Sequence, residues 1–442
     1  MRDLLLFSLT AWCSLTALSR PVTGMLAYVC YSLLAPHSLT WGRARTFPHV
    51  QLIAICTIVG YMVWSEPKRF PRQRELILLL ALWGMFGIST VFALYPDLAF
   101  NNLRYISKVW LMVILSTSII NTPERLQSLI RVVALSIGFY GLKTGLYVIM
   151  TGGHSTVFGP DDSFISANNS LGMALAMNVP LLFYLSQTGQ RRWLRGVMRL
   201  MAVFSYPAVL GTFSRGSWLA LAAVTALRAL KSKYKVLATP LIFCILLSTP
   251  TWLPQVASQQ MADRFDTIGN YEEDQSAQSR FWNWEFCTRV GLARPLTGGG
   301  FYLYSRESYA KFFPEFLTRW PEKVWTCHNA FLTPLAEHGF PGWLLWLGLL
   351  GSCLLSLRRL RAVAKTRAEV SWVLPYAEML QAAFIGFMVS GAFVDNTYFE
   401  MYYLLAAAVA SFKETVSRQV TEASPSPVVT RAPGFVLAPG RG

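Results

Sequence analysis

Leu76-Ile-Leu-Leu-Leu-Ala-Leu-Trp-Gly-Met-Phe-Gly-Ile-Ser-Thr-Val-Phe-Ala-Leu94 carries no charge from end to end. At about 1.5 Å per residue, a helix over this stretch is about 28 Å long, close to the roughly 30 Å hydrocarbon core of a bilayer. Comparable apolar runs recur on both sides of it. Upstream lie Leu4 to Leu18, Val22 to Ala35 and Val50 to Trp64. Downstream come Tyr105 to Ile120, Leu126 to Met150, Ala167 to Ser186, Val197 to Thr212, Ser217 to Leu230 and Val236 to Ser248. Phe340 to Leu357, Trp372 to Phe393 and Tyr398 to Phe412 complete the series.

The expected fold is therefore an all-α polytopic membrane protein of about 12 transmembrane helices. Composition agrees: 53% of residues are hydrophobic, 14% are charged, and the mean hydropathy is +0.39. A closed β-barrel would instead show shorter, alternating segments. The N-terminal Met1-Arg-Asp and its apolar run mimic a signal peptide but lack a small-residue cleavage site, so the segment is expected to be retained.

The formal charge of +16 does not point to nucleic acid. Its Lys and Arg residues sit in short clusters between apolar runs, as the positive-inside rule expects. Those clusters are Lys68 to Arg74, Arg191 to Arg195, Arg228 to Lys235 and Arg358 to Arg367. Every pair is separated by an even number of runs, so all four are assigned to the cytoplasm. The alternate loops, including Thr151 to Ser166, Phe213 to Gly216 and Asp395 to Thr397, then face outward.

One segment interrupts the pattern. Thr251 to His338 is polar to mixed and long enough to form a unit outside the membrane. Residues 1–250 are accordingly read as N-terminal transmembrane helices, 251–338 as a large periplasmic segment with an amphipathic helix, and 339–412 as C-terminal transmembrane helices. Residues 413–442 are read as a disordered cytoplasmic tail, on the Ser424-Pro-Ser-Pro and Pro439-Gly-Arg-Gly composition. Ser276 to Arg294 has a helical pattern in which Phe281, Trp284, Cys287 and Thr288 share a face. Of the seven cysteines, Cys287 and Cys327 fall in this outer segment and could pair in an oxidising compartment, although their spacing leaves the pairing open.

Several residues stand out against this background. Arg215, in Thr212-Phe-Ser-Arg-Gly-Ser-Trp, sits where two apolar runs meet on the outward side. Such an arginine faces a cavity or partner, or snorkels to the headgroups. Arg280 falls in the first turns of the amphipathic helix, where amides and the helix dipole favour an anion, though a solvated surface arginine fits the same pattern. Arg264 lies between Asp263 and Asp266. Lys108 and Lys143 interrupt otherwise apolar spans. His328 precedes the point where the outer segment re-enters the membrane and suits a general base; His338, ten residues on, competes for that role. No His-x-x-x-His, Cys-x-x-Cys or Asp-x-Asp grouping supplies a metal site, and no Walker A, GxGxxG or GxSxG motif occurs.

Taken in order, Ser214-Arg215-Gly, Arg280, Pro295-x-Thr-Gly-x-Gly300 and His328-Asn-x-x-Leu-x-x-Leu-x-Glu-x-Gly-x-x-Gly342 resemble the O-antigen ligase and polymerase superfamily. Pro36-His-x-Leu-Thr-Trp-Gly42 is similar to the subgroup described as O-glycosylation ligases beside exosortase systems. The resemblance runs from about residue 20 to 412. It implies a glycosyltransferase of the bacterial inner membrane with its active site facing the periplasm. A glycan on undecaprenyl pyrophosphate would move to a lipid A-core hydroxyl, with inversion and without nucleotide sugar, metal or other cofactor.

In that chemistry, His328 accepts the acceptor proton while Arg215 and Arg280 stabilise the pyrophosphate. Arg264 and Lys108 are secondary phosphate-binding residues, and His338 is a substrate-binding residue or the competing base. An O-antigen polymerase or a protein O-glycosylation ligase would share the chemistry and differ in acceptor. A non-enzymatic polysaccharide flippase would instead show internal repeats and a charged central path.

Overall fold

The computed structural model describes residues 1–188, 191–231 and 275–423, and all regular secondary structure among them is helical. The expected span from Val236 to Ser248 lies outside the described residues, as does Arg264. The first nine helices are α1 (Arg2–Ser19), α2 (Pro21–Leu34), α3 (His49–Val63), α4 (Arg74–Val91), α5 (Pro96–Ile119), α6 (Pro123–Thr151), α7 (Asn168–Leu185), α8 (Arg192–Leu210) and α9 (Arg215–Lys231). After these come α10 (Gln275–Ala293), the short α11 (Arg306–Phe312) and α12 (Pro314–Arg319), then α13 (Thr333–Thr366), α14 (Val373–Gly391) and α15 (Glu400–Ala423).

Local chemistry accounts for many boundaries. Pro21, Pro96 and Pro123 open α2, α5 and α6, where a missing N–H has no intrahelical partner to lose. Thr122 caps α6 by accepting from the Arg125 amide at 3.4 Å. The helix breaks at Arg20, so the runs Leu4 to Leu18 and Val22 to Ala35 form two separate helices. The C-terminal tail expected from residue 413 begins as helix, because α15 continues to Ala423.

By length and composition, α4, α6, α13 and α14 can each cross a membrane, and α2 and α3 are shorter apolar helices. Apolar side chains lie outside as well as in the core: Leu4 on α1, Ile55 on α3 and Ile77 on α4 face outward. α7 shows the opposite extreme. Packed by α6, α8, α9 and α14, it is buried on nearly every face from Ser170 to Leu185.

Loops assigned to the two sides join at opposite ends of the bundle. At one end Arg45 pairs with Asp161 at 2.8 Å, Asn168 Nδ2 donates to the Thr212 carbonyl at 2.8 Å, and the Ala330 amide donates to the Gly391 carbonyl at 2.7 Å. At the other, Arg125 grips Glu66 at 2.7 Å and Gln73 bonds Glu414 at 3.0 Å. There the fully buried Glu75 pairs with Lys413 at 2.9 Å and accepts from Ser352 and Ser356. Those extra donors satisfy a carboxylate that would otherwise be costly to bury.

The segment before α13 builds a second, smaller apolar core. Phe286 and Val290 of α10 pack with Leu303, Tyr309, Phe313, Phe316 and Ala336. Phe286 stacks on Tyr309 with ring centroids 3.9 Å apart. A Cys287–Cys327 disulfide closes this core, with Cα atoms 5.9 Å apart. The buried stripe of α10 is Asn283, Phe286, Cys287 and Val290, an i, i+3, i+4, i+7 set. Of the four residues expected to share a face, only Cys287 lies in that stripe; Phe281 is 59% exposed. The small core and its disulfide set the rotation, which apolar spacing alone did not specify.

Candidate active site

Two glycine-rich motifs form one joint. α13 breaks at Gly339, whose φ of +67° and ψ of −171° are open essentially only to glycine. Against this break lies the 295–300 turn: the Phe340 amide donates to the Pro295 carbonyl at 2.8 Å, Gly299 N to Ala336 O at 2.7 Å, and Gly300 N to Glu337 O at 2.9 Å. A Cβ on Gly298 would sit 2.5 Å from the His338 amide nitrogen, so only glycine permits this approach. The break also splits the expected Phe340-to-Leu357 span from an N-terminal turn that carries Glu337 and His338.

Consecutive helical residues point about 100° apart, and these two diverge accordingly. Glu337 lines a cavity of about 530 Å³. Among its other walls are Asp395, Thr326, Thr333, Tyr302, Tyr304 and Tyr398, with Tyr105, Asp162 and Phe164 across from the N-terminal half. His338 turns the other way and is fully buried, packed against Phe86 and Phe301 with ring centroids 4.5 and 4.7 Å away.

Both His338 nitrogens are engaged, Nδ1 with Ser89 Oγ at 2.6 Å and Nε2 with Tyr398 OH at 2.5 Å. Tyr398 in turn donates to Glu337. His338 Nε2 is then the donor to Tyr398, and the imidazole orients the tyrosine that holds the carboxylate. His338, expected to bind substrate or to compete as base, is thus placed behind the cavity wall with both ring nitrogens engaged.

His328 sits on the loop before α13, half-buried, with a left-handed φ of +47° that is costly for a non-glycine residue. Its neighbours hold that conformation. Cys327 is tied by the disulfide, and Asn329 Oδ1 accepts from the Phe331 and Leu332 amides at 2.8 and 3.2 Å. Burial pushes the imidazole below its ordinary pKa; the Asp395 carboxylate opposes this and the Arg280 guanidinium adds to it. His328 therefore feels the charges of both Asp395 and Arg280. Asp395 accepts from Thr333 at 2.6 Å, and burial raises its carboxyl pKa.

Phe393 brings the two arginines to the same loop. The Arg280 guanidinium lies 5.8 Å from its ring centroid, and a Cβ on Gly216, next to Arg215, would be 2.8 Å from the Phe393 Cβ. Arg215 opens α9 two residues after Phe213, itself left-handed at φ +52°. Ser217 one turn away bonds Ser214 at 3.0 Å and Ser390 at 3.4 Å, linking α9 to α14. Lys108 is separate: it lines a second chamber of about 240 Å³ with Tyr28, Ser32, His37, Gln51 and Tyr105.

Glu337, Asp395 and Tyr398 had been given no role. The signal for Asp395 was present, since an acid between two apolar runs calls for a partner or a cavity.

These features define a multi-pass helical membrane protein that encloses a polar cavity lined by carboxylates and tyrosines, with His328 close enough to its Asp395 wall for the two charges to interact. Residues 200–347 match the O-antigen ligase family and residues 1–190 match a family of unknown function (DUF5935). The first of these segments, over which the chain is similar to O-antigen ligases, includes Arg215, Arg280, the glycine turn and His328. No match was found among curated proteins.

Proposed function

We propose that the protein transfers a glycan from undecaprenyl pyrophosphate to a hydroxyl of lipid A core on the periplasmic side of the bacterial inner membrane. The observation that carries this reading is that Asp395 lines a cavity large enough for a sugar substrate, while its charge and that of Arg280, 5.8 Å from the ring of Phe393 in the same loop, both act on His328. The Cys287–Cys327 disulfide supports the outward placement, because such bonds persist in oxidising compartments.

In this reading the acceptor oxygen attacks the anomeric carbon, its proton passes to neutral His328, and the anomeric C–O bond breaks with its electron pair leaving on the pyrophosphate. A positioned base of this kind contributes about 10²- to 10⁴-fold. Arg280 and Arg215 offer permanently charged planar donors to the oxygens that gain charge. Asp395 stabilises the imidazolium that forms. Lys108 lines the second chamber and not the larger cavity, and stays a secondary candidate for that pyrophosphate. Arg264 keeps its proposed role as a further phosphate ligand.

The test is transfer by purified full-length protein from undecaprenyl-pyrophosphate glycan, with lipid A core, glycan repeat units and a serine peptide offered separately. Product on lipid A core, lost in His328→Ala, is the expected result. Product on repeat units or peptide instead identifies a polymerase or a protein glycosylation enzyme. Undiminished product from His328→Ala removes the proposed base.

A further inference from the structure

The second chamber has walls drawn entirely from residues 28–164, inside the segment that matches a family of unknown function. It shares Tyr105, Asp162, Ser163 and Phe164 with the larger cavity, so the two are adjoining rooms. Its volume of about 240 Å³ is below the roughly 300–1,000 Å³ of pockets for drug-sized ligands, which suits one sugar ring.

The lining has the character that a sugar ring requires. Hydroxyl groups of a pyranose both donate and accept, and here donors and acceptors are mixed: Lys108 donates, Gln51 does both, Asp162 accepts, and Ser32 and Ser163, which donate to Glu400 and to the Pro160 carbonyl, keep lone pairs to accept. His37 Nδ1 is buried without a hydrogen-bond partner, which leaves a polar atom for a ligand to satisfy. Tyr105, Phe47 and Phe164 supply apolar faces for the C–H side of a ring, with Tyr105 and Phe164 ring centroids 5.9 Å apart. A dianionic phosphate fits less well, since Lys108 shares the chamber with Asp162 and with the Ser32 hydroxyl that donates to Glu400.

The walls are also braced. His49 is engaged through both nitrogens, with Thr10 at 2.8 Å and the Ala44 carbonyl at 2.9 Å, and its ring lies 6.4 Å from that of His37. The 159–166 loop is anchored by Arg45 on Asp161 at 2.8 Å and by Ser38 on the Asp161 carbonyl at 2.8 Å. These contacts hold the chamber open without a ligand.

We propose that this chamber is a carbohydrate subsite that holds a non-reacting pyranose ring of the substrate glycan while transfer proceeds next door. It would give the N-terminal region the task of sugar selection. This rests on the reading of the protein as a glycan transferase, and the ring belongs to either the donor or the acceptor.

Full-length Gln51→Ala and Tyr105→Ala settle which, by separate titration of donor and acceptor in the transfer assay. For Gln51→Ala, at a residue that lines this chamber alone, the expected result is a rise of about tenfold in one KM with kcat within about twofold; Tyr105→Ala, which also lines the larger cavity, should raise the same KM. A donor KM effect assigns the ring to the donor, and an acceptor effect to the acceptor. Both KM values unchanged in folded variants would overturn the proposal. Gln51 is exposed, so its variant should fold even if Tyr105→Ala does not.

Saturation-transfer NMR with the methyl glycosides of glucose, galactose and mannose separates this idea from the transfer reading. Ring-proton signals seen with intact protein and lost in Gln51→Ala support the subsite even if no transfer product forms. Signals equal in both proteins, or absent from both, count against it.

Discussion

Cys287 and Cys327 are bonded, and each lies close in sequence to a residue of the candidate site: Cys287 two turns after Arg280 on α10, and Cys327 immediately before His328. The bond thereby fixes the helix that carries the arginine against the loop that carries the histidine. Reduction, or Cys287→Ser with Cys327→Ser, should lower transfer at least about tenfold while the membrane bundle stays folded. Loop-closure arguments put the accompanying loss of stability at about 2–4 kcal/mol. Thermal unfolding followed beside activity, with and without reductant, checks both.

The pH profile should identify the base. Burial and Arg280 lower the His328 pKa from its ordinary value near 6.5, so the neutral, proton-accepting form prevails at pH 7 and kcat/KM should fall only on the acid side. Asp395→Asn removes a charge that favours the imidazolium and should move the acid limb to lower pH. Arg280→Met removes a charge that opposes it and should move the limb to higher pH. Limbs that shift the same way, or not at all, would remove His328 from the assignment.

Arg280→Lys should impair transfer by about ten- to a hundredfold at normal protein levels, since a point charge does not reproduce bidentate contact with a phosphate. Full activity of that variant, measured on purified protein, would argue against direct pyrophosphate binding.

His338→Ala should behave differently from His328→Ala. It empties a buried site and leaves Tyr398 and Ser89 with unmatched hydrogen bonds, which costs about 2–4 kcal/mol. Its thermal midpoint should fall, yet the acid limb of the surviving activity should stay where it is in the intact protein.

Gly339→Ala should be among the most damaging single-methyl changes. Its backbone conformation excludes a side chain at a cost of about 1–3 kcal/mol, and the added Cβ would lie 2.5 Å from the Pro295 carbonyl oxygen. Loss of folded protein in a detergent melt is the expected outcome.

The helical framework was legible because lipid-facing and buried surfaces are both apolar, so runs such as Leu76 to Leu94 announce themselves and α4 covers Arg74–Val91. Helix rotation was less so. In a soluble protein the polar face reveals the buried one, but the α10 stripe through Phe286 and Val290 is set by packing against α11 and α12. The same ambiguity affected His338, one residue from Glu337 and about 100° around the helix from it. Asp395 meets Thr333 across 62 residues of chain, a pairing that only the folded bundle brings about.

α7 has almost no surface left for lipid once its neighbours are in place. One of those neighbours, α14, begins only at Val373, nearly two hundred residues after α7 ends at Leu185. The central helix must therefore wait during synthesis with one side uncovered, and the bundle closes around it only when the late helices arrive. Assembly of this protein is a question of timing as much as of insertion: a chain stopped before α14 would strand its own centre in the bilayer.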